Sequence, residues 1–400
     1  MSVVTPTEQH GAVSHSDGGW GSPGYVPVQT RSGRFSSFAH AEFPPVTGLE
    51  GEWKQTPVAR VRDLIDGTLD GSPYAIETTA LPGATRVEWV DRADTRVGSA
   101  GTPEERASAN AWTSFDQALV ITLTGEETTA LTVTRTALGS SPRAAHTIIT
   151  AAANSTATVV LQSVGDARLT ENVEIVVEDG ARLTVISVQE WADESVHLAS
   201  HFATVGHSAK LTHIVVSLGG SLVRLNPSVH LTGEGSDGDL YGLYFADAGQ
   251  HLEHRVYLHH VAENTKGRVN YKGALQGKGA HTVWVGDVLI GPKAARTDSY
   301  EQNRNLVLTE GTRADSVPNL EIETGDILGA GHASATGRFD DEQLFYLQTR
   351  GISEVEARRL VVAGFLAEII QHVSEPTLHA HLNAAVEREL ASTILTGAQS

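Results

Sequence analysis

The chain carries 18 histidines and no cysteine among its 400 residues. Imidazole and carboxylate are therefore its candidate metal ligands and bases. Thiolate catalysis, disulfides and cysteine-ligated zinc or iron–sulfur centres within the chain are excluded. The densest cluster is HLEHRVYLHH, with His251, His254, His259 and His260, a composition that suits a cupin-like metal site. Side chains alternate along a strand, so His251 and His259 share one face while His254 and His260 share the other. Four such residues cannot converge from one regular strand, and a site would need one pair plus ligands from elsewhere. HAH at 379–381 falls in helical sequence, where residues i and i+2 diverge. GALQGKGAH (273–281) has the look of a phosphate loop. Yet only three residues separate Gly273 from Gly277, and Gly279 stands where a magnesium-binding Ser or Thr belongs. Neither G-x-S-x-G nor H-E-x-x-H occurs, so hydrolase and metalloprotease readings lack their anchors. In GHASATGRFDDEQLFYLQTRGIS (331–353), His332 sits among small residues that give way to amphipathic sequence. Its own surroundings leave it open as a ligand, a base or a residue at a structural boundary.

These residues must be positioned by three zones. Residues 1–45 are rich in Gly, Ser, Pro, Thr and His without a sustained period, which predicts disorder. Residues 46–117 read as a small helical and irregular region. A short helical period lies in LEGEWKQTPVARVRDLIDG, and a second helix in TPEERASANAWTSF has Thr102 as N-cap and Glu105 in capping-box position. From residue 118 to 337 the period changes to short Val/Ile/Thr/Leu runs, such as ALVITLTG and VEIVVEDGARLTVISV, separated by turn-forming clusters. So long a series of strands without a helix suits the stacked coils of a β-solenoid better than a sandwich, although no fixed-period repeat is visible. Residues 338–400 are helical. Asp340 is a candidate cap, Gly351 a C′ residue, and Ser353 with Glu356 a capping box. Val355, Val362, Leu366, Ile369 and Val373 then fall on one helical face, and Pro376 breaks this helix ahead of a second one. Both stripes must cover something, either the solenoid or a partner.

Composition narrows the class. The chain is 40% hydrophobic and 19% charged, ordinary for a globular protein. A net charge of −19 argues against nucleic-acid binding, which needs a basic face. No apolar run approaches the roughly 18–20 residues that span a bilayer, and the N-terminus shows no secretory pattern. A cytoplasmic protein is the plain reading.

The stretch NRNLVLTEGTRADSVPNLEIETGDILGAGHASATGRFDDEQLFYLQTRGISEVEARRLVVAGF (303–365) resembles the SufB/SufD family of iron–sulfur cluster assembly proteins. The matching elements are PNLEI at 318–322, His332, and LFYLQTRGI at 344–352 with the helix that follows it. The segment from 259 to 308 and EWKQTP at 52–57 match as well, so the resemblance covers roughly residues 50–375. It implies a right-handed parallel β-helix between helical end regions, and a scaffold rather than an enzyme. A SufB-like subunit would pair through the β-helix, and a SufC-like ATPase would dock on the C-terminal helices. ATP-driven movement would remodel the interface where a nascent cluster is built.

The lack of cysteine and the SYEQNRNLVL segment resemble SufD rather than SufB. His332 matches the family histidine that faces SufB's ligand cysteine, and imidazole is a fitting iron ligand. Some SufD proteins carry a cysteine two residues earlier, where this chain has Ala330, which leaves His332 alone in that role. Gln343, Phe345, Arg350 and Val362 are candidate ATPase contacts. Iron or a cluster would be held transiently in the complex, ATP on the partner, and reduced flavin is a further ligand the complex could take. The competing reading is a solenoid or cupin-like metal-dependent enzyme using His251–His260. A β domain truncated after Gly337 is expected to stay soluble or partly so while losing the ATPase.

Overall fold

The computed structural model describes residues 31–79, 83–136, 138–338 and 341–397. Short β-branched runs with a side-chain period of two can bury one face only by stacking, and here each strand stacks in parallel on the strand one coil away. Strands alternate between two nine-stranded sheets. Sheet I runs from Thr85–Asp91 to Arg313–Ile322, and sheet II from Glu77–Thr78 to Ile327–Arg338. The result is a parallel β-solenoid of about 8 turns. Register is continuous along it. One inward column of sheet II reads Leu131, Val159, Val185, His213, Leu240, Val269, Glu301 and His332.

Coil-to-coil turns use a left-handed residue, and its identity varies. Asn154, Gly180, Ser208, Gly235, Asn264 and Arg296 all have positive φ. Their uneven spacing and mixed types hide the repeat from the sequence.

The two ends differ. At the N-terminal end, Thr85–Asp91 and the two-residue Glu77–Thr78 add antiparallel to sheets I and II as their terminal strands. At the C-terminal end, Arg313–Ile322 and Ile327–Arg338 are the last members of their sheets. Leu328 and Ile322 are exposed there.

Residues 31–45, read above as disordered, are packed. Arg31 is buried on Glu104 at 2.9 Å, and Phe43 is buried. The region through residue 116 covers the outer face of sheet I. EWKQTP anchors it: the Arg224 guanidinium lies 4.2 Å over the Trp53 ring. Arg255 donates to Gln55 Oε1 at 2.6 Å, and Thr56 donates to Glu253 at 2.8 Å. Helix α1 (Arg62–Asp66) and helix α2 (Arg106–Ser114) complete this cover. Thr102 is not the cap of α2. That place belongs to Glu105, which makes no capping bond because its carboxylate accepts from Arg224 at 2.6 and 2.7 Å.

Helices α3 (Asp341–Thr349), α4 (Glu354–Ile370) and α5 (Pro376–Gly397) close the chain. Ser353 caps α4 by accepting from the Glu356 amide, while Asp340 lies outside the described residues. Pro376 opens α5 as its first residue, where its missing N–H costs nothing. Val362, Leu366, Ile369 and Val373 of the α4 stripe, with Leu382, Val386 and Leu390 of α5, pack on the outer face of sheet II. Their partners include Ile186, Ile214, Val216 and Phe245. Val355, by contrast, is exposed. Val362 is 1% exposed, so it is a core residue and not a partner contact: the stripe faces the solenoid.

Candidate functional site

The strand Thr297–Val307 departs from the apolar interior. Its inward positions Thr297, Ser299, Glu301, Asn303 and Asn305 are polar and buried. Four of them find partners inside, Thr297 by donating to the Ala294 carbonyl at 2.8 Å. Asn303 donates to Tyr244 Oη at 2.8 Å, which donates to Asn305 Oδ1 at 2.8 Å, and Asn305 donates to Ser316 Oγ at 2.9 Å. Ser299 meets His260 at 3.0 Å.

Glu301 is different. Its side chain is 0% exposed, and neither carboxylate oxygen has a hydrogen-bond partner. Burial, followed by repulsion from Asp287, pushes its carboxyl up to about 8; the Asn319 amide opposes this without reaching hydrogen-bond geometry. Room for the group comes from Gly286, where an added Cβ would lie 2.3 Å from Glu301 Oε2.

His332 lies beside Glu301 in the next and last strand. Its Nδ1 is 3.7 Å from Glu301 Oε1, and its side chain is 45% exposed. No further coil follows, so this inward column opens to solvent at His332. Ala330 pairs with Ser299 and packs against the interior core.

The docking candidates do not form one site. Phe345 is 68% exposed, and Tyr346 beside it is also exposed. Arg350 lies over the Tyr346 ring at 5.0 Å and donates to its hydroxyl at 2.8 Å. The side chain of Gln343 lies outside the described residues, and Val362 is core. The strand His251–His260 separates its histidines as alternation requires, and each has its own partners. His251 bonds Glu253 at 3.1 Å on the outer face, and His254 bonds Ser217 at 3.1 Å inside. His259 packs edge-on to His230, and His260 bonds Thr265 at 2.8 Å. Among the described residues no group of three or more His, Asp or Glu could hold a metal, so the cupin-like reading finds no site.

Sequence reasoning missed Glu301, Asn303 and Asn305. Their signal is present: Ser-x-Glu-x-Asn-x-Asn from 299 to 305 is an unbroken polar stripe of strand period.

Fold and site together define a class, a parallel β-solenoid whose last coil carries buried carboxylate and amide groups beneath an exposed imidazole. A family model described as SUF system FeS cluster assembly, SufBD core domain, matches residues 132–365. An iron–sulfur cluster assembly SufBD family protein of Mycobacterium bovis is 47% identical over 369 residues, covering 90% of this chain and 93% of that protein. One of Mycobacterium leprae is 47% identical over 368 residues, covering 90% and 94%. A second Mycobacterium leprae protein of the same description is 29% identical over 223 residues, covering 56% of this chain and 25% of that protein. The chain belongs to the SufBD family of iron–sulfur cluster assembly proteins.

Proposed function

We propose that the chain is the cysteine-free, SufD-like subunit of a cytoplasmic SufB–SufC–SufD complex, a non-catalytic scaffold. A SufB-like subunit pairs with the open end of the solenoid, and the nascent cluster is built there as cargo. The observation that carries this reading is His332, an exposed imidazole on the last strand of sheet II, whose outer edge pairs with no further strand among the described residues. Unpaired edges recruit strands from another chain. A paralogue in Mycobacterium leprae that matches only part of this chain is what a two-member partnership needs. SufC docking rests on the exposed surface of α3, where Phe345 and Arg350 are the candidates. ATP then belongs to SufC, and the GALQGKGAH segment is not a phosphate loop: Gly277 and Gly279 shape a turn after the strand Lys266–Leu275.

The role of His332 is tested by His332→Ala. The side chain is half-exposed and makes no short hydrogen bond, so its loss should cost less than about 1 kcal/mol and leave the complex intact by gel filtration. Cluster build-up per assembled complex should fall sharply, because no neighbouring thiolate replaces the lone pair. Equal yield per intact complex refutes the role.

A further inference from the structure

We propose that Glu301 is the second ligand of the His332 site, so that this chain alone offers a carboxylate–imidazole pair to a divalent metal ion, with iron(II) as the cargo it suits. The inference rests on the role proposed for His332 and adds a residue to it. Three observations carry it. A carboxyl group sealed in a protein interior is ordinarily hydrogen-bonded or ion-paired, since leaving it unpartnered costs the full desolvation penalty; on taking a cation it gives up its proton to water. Glu301 has neither oxygen partnered. It is not an ordinary buried ion pair with His332 either: at 3.7 Å the contact is longer than a hydrogen bond.

That separation is nearly right for a shared cation. Ligand distances of about 2.0–2.2 Å place two ligands of one ion about 3.3–3.6 Å apart in tetrahedral geometry and two adjacent ones about 2.8–3.1 Å apart in octahedral geometry, so a shift of less than about 1 Å closes the pair on a metal.

The third observation is the direction of access. Glu301 is closed off behind, where Gly286 makes room for its carboxylate, and the only side chain between it and solvent along its column is His332. An ion reaching Glu301 along that column therefore meets the imidazole first. Nitrogen and oxygen donors together suit a borderline cation such as iron(II) or its spectroscopic substitute cobalt(II). With two protein ligands the site is half-built, and its remaining positions fall to water in the free chain and to the partner across the open end.

The test uses the full chain, free of oxygen, titrated with Co²⁺ and followed by visible absorption and calorimetry. Wild type should bind one ion that His332→Ala weakens. Glu301→Gln, an uncharged isostere, should weaken it by at least about tenfold, the scale on which metal-site residues act. The double variant should be little worse than either single one. Because Gln fills the same space beside Gly286, Glu301→Gln should keep the wild-type melting temperature, which separates ligation from folding. Wild-type affinity in Glu301→Gln, or Co²⁺ uptake equal in wild type and His332→Ala, overturns the inference. The functional reading fails separately. If Glu301→Gln loses Co²⁺ while His332→Ala builds clusters at the wild-type yield per complex, the pair binds metal but does not serve cluster assembly.

Discussion

Truncating Val362 to alanine opens a void between α4 and sheet II, where Leu366 and Ile369 are equally sealed. Removing two methyl groups from such a site should cost about 1–3 kcal/mol, read as a lower melting temperature. Phe345→Ala removes a larger side chain from solvent and should change stability by less than about 0.5 kcal/mol. If Phe345 is a central docking contact, its loss should weaken SufC capture by about fivefold or more. Unchanged capture at unchanged stability would remove Phe345 from the interface. Residue type could not separate these two: both are apolar and both lie on C-terminal helices. What was legible was the stripe from Val362 to Val373. What it faces depends on a sheet whose outward residues, Ile186, Ile214 and Phe245 among them, come from strands more than a hundred residues earlier. The parity of His251 through His260 was legible for the opposite reason, because alternation along one strand is a local property. Glu301 was within reach of the same rule, but only its continuity with Val269 and His332 shows that its polarity lies in the interior.

At the scale of elements, the C-terminal helices are as much lid as docking platform. Lys272 of the solenoid reaches into α4, donating to the Phe365 carbonyl at 3.2 Å and lying 4.6 Å from that ring's centroid. Tyr241 stacks on His372 at 3.8 Å just beyond the helix. Deleting everything after Gly337 would uncover Val160, Ile186, Val188, Ile214, Val216, Leu243 and Phe245 together. An apolar patch of that extent is an aggregation site. The sequence alone led to the expectation that the truncated β domain stays soluble or partly so, and this packing argues against it. The truncated chain should bind a hydrophobic dye and elute as aggregates in gel filtration. A monomeric, dye-silent fragment would show that the helices detach without cost. Loss of SufC capture on truncation would therefore be uninformative, and single exposed positions on α3 are the better probes.

For the molecule as a whole, the polar groups inside the solenoid make its stability depend on acid. His201 and His213 share a hydrogen bond of 2.9 Å with no water access. His254 is stacked on Tyr244, and His260 is bonded to Thr265 and Ser299. Burial is the leading cause in each case. It pushes His201 down to about 4, and His254 and His260 each down to about 3. His213 is held well below its ordinary range, first by burial and then by His201. An unfolded histidine titrates near 6.5, so between that value and the folded ones the unfolded chain holds protons that the fold refuses. Stability then rises with pH across the window. It is fully present above about pH 6.5 and drains away as pH falls toward 4 and below. At pH 5 each such histidine costs about 2 kcal/mol, and the four together, about 8 kcal/mol, fall within the roughly 5–15 kcal/mol that holds a domain folded. The carboxylates add to this lower down. Burial alone would raise Glu171, but Arg135 and His197 outweigh it and hold it well below its usual range, so it too resists protonation until the fold fails. Below about pH 6.5 the melting temperature should drop steeply toward pH 5, because the loss at the histidines exceeds the stability that Glu301, with its carboxyl pushed up to about 8, gains in acid. Unfolding at pH 5 should take up about three protons, about four bound by the histidines less about one given up by Glu301. A melting temperature flat between pH 7.5 and pH 5, with no proton uptake, would mean that these imidazoles reach water in the folded protein and that the solenoid interior is not sealed.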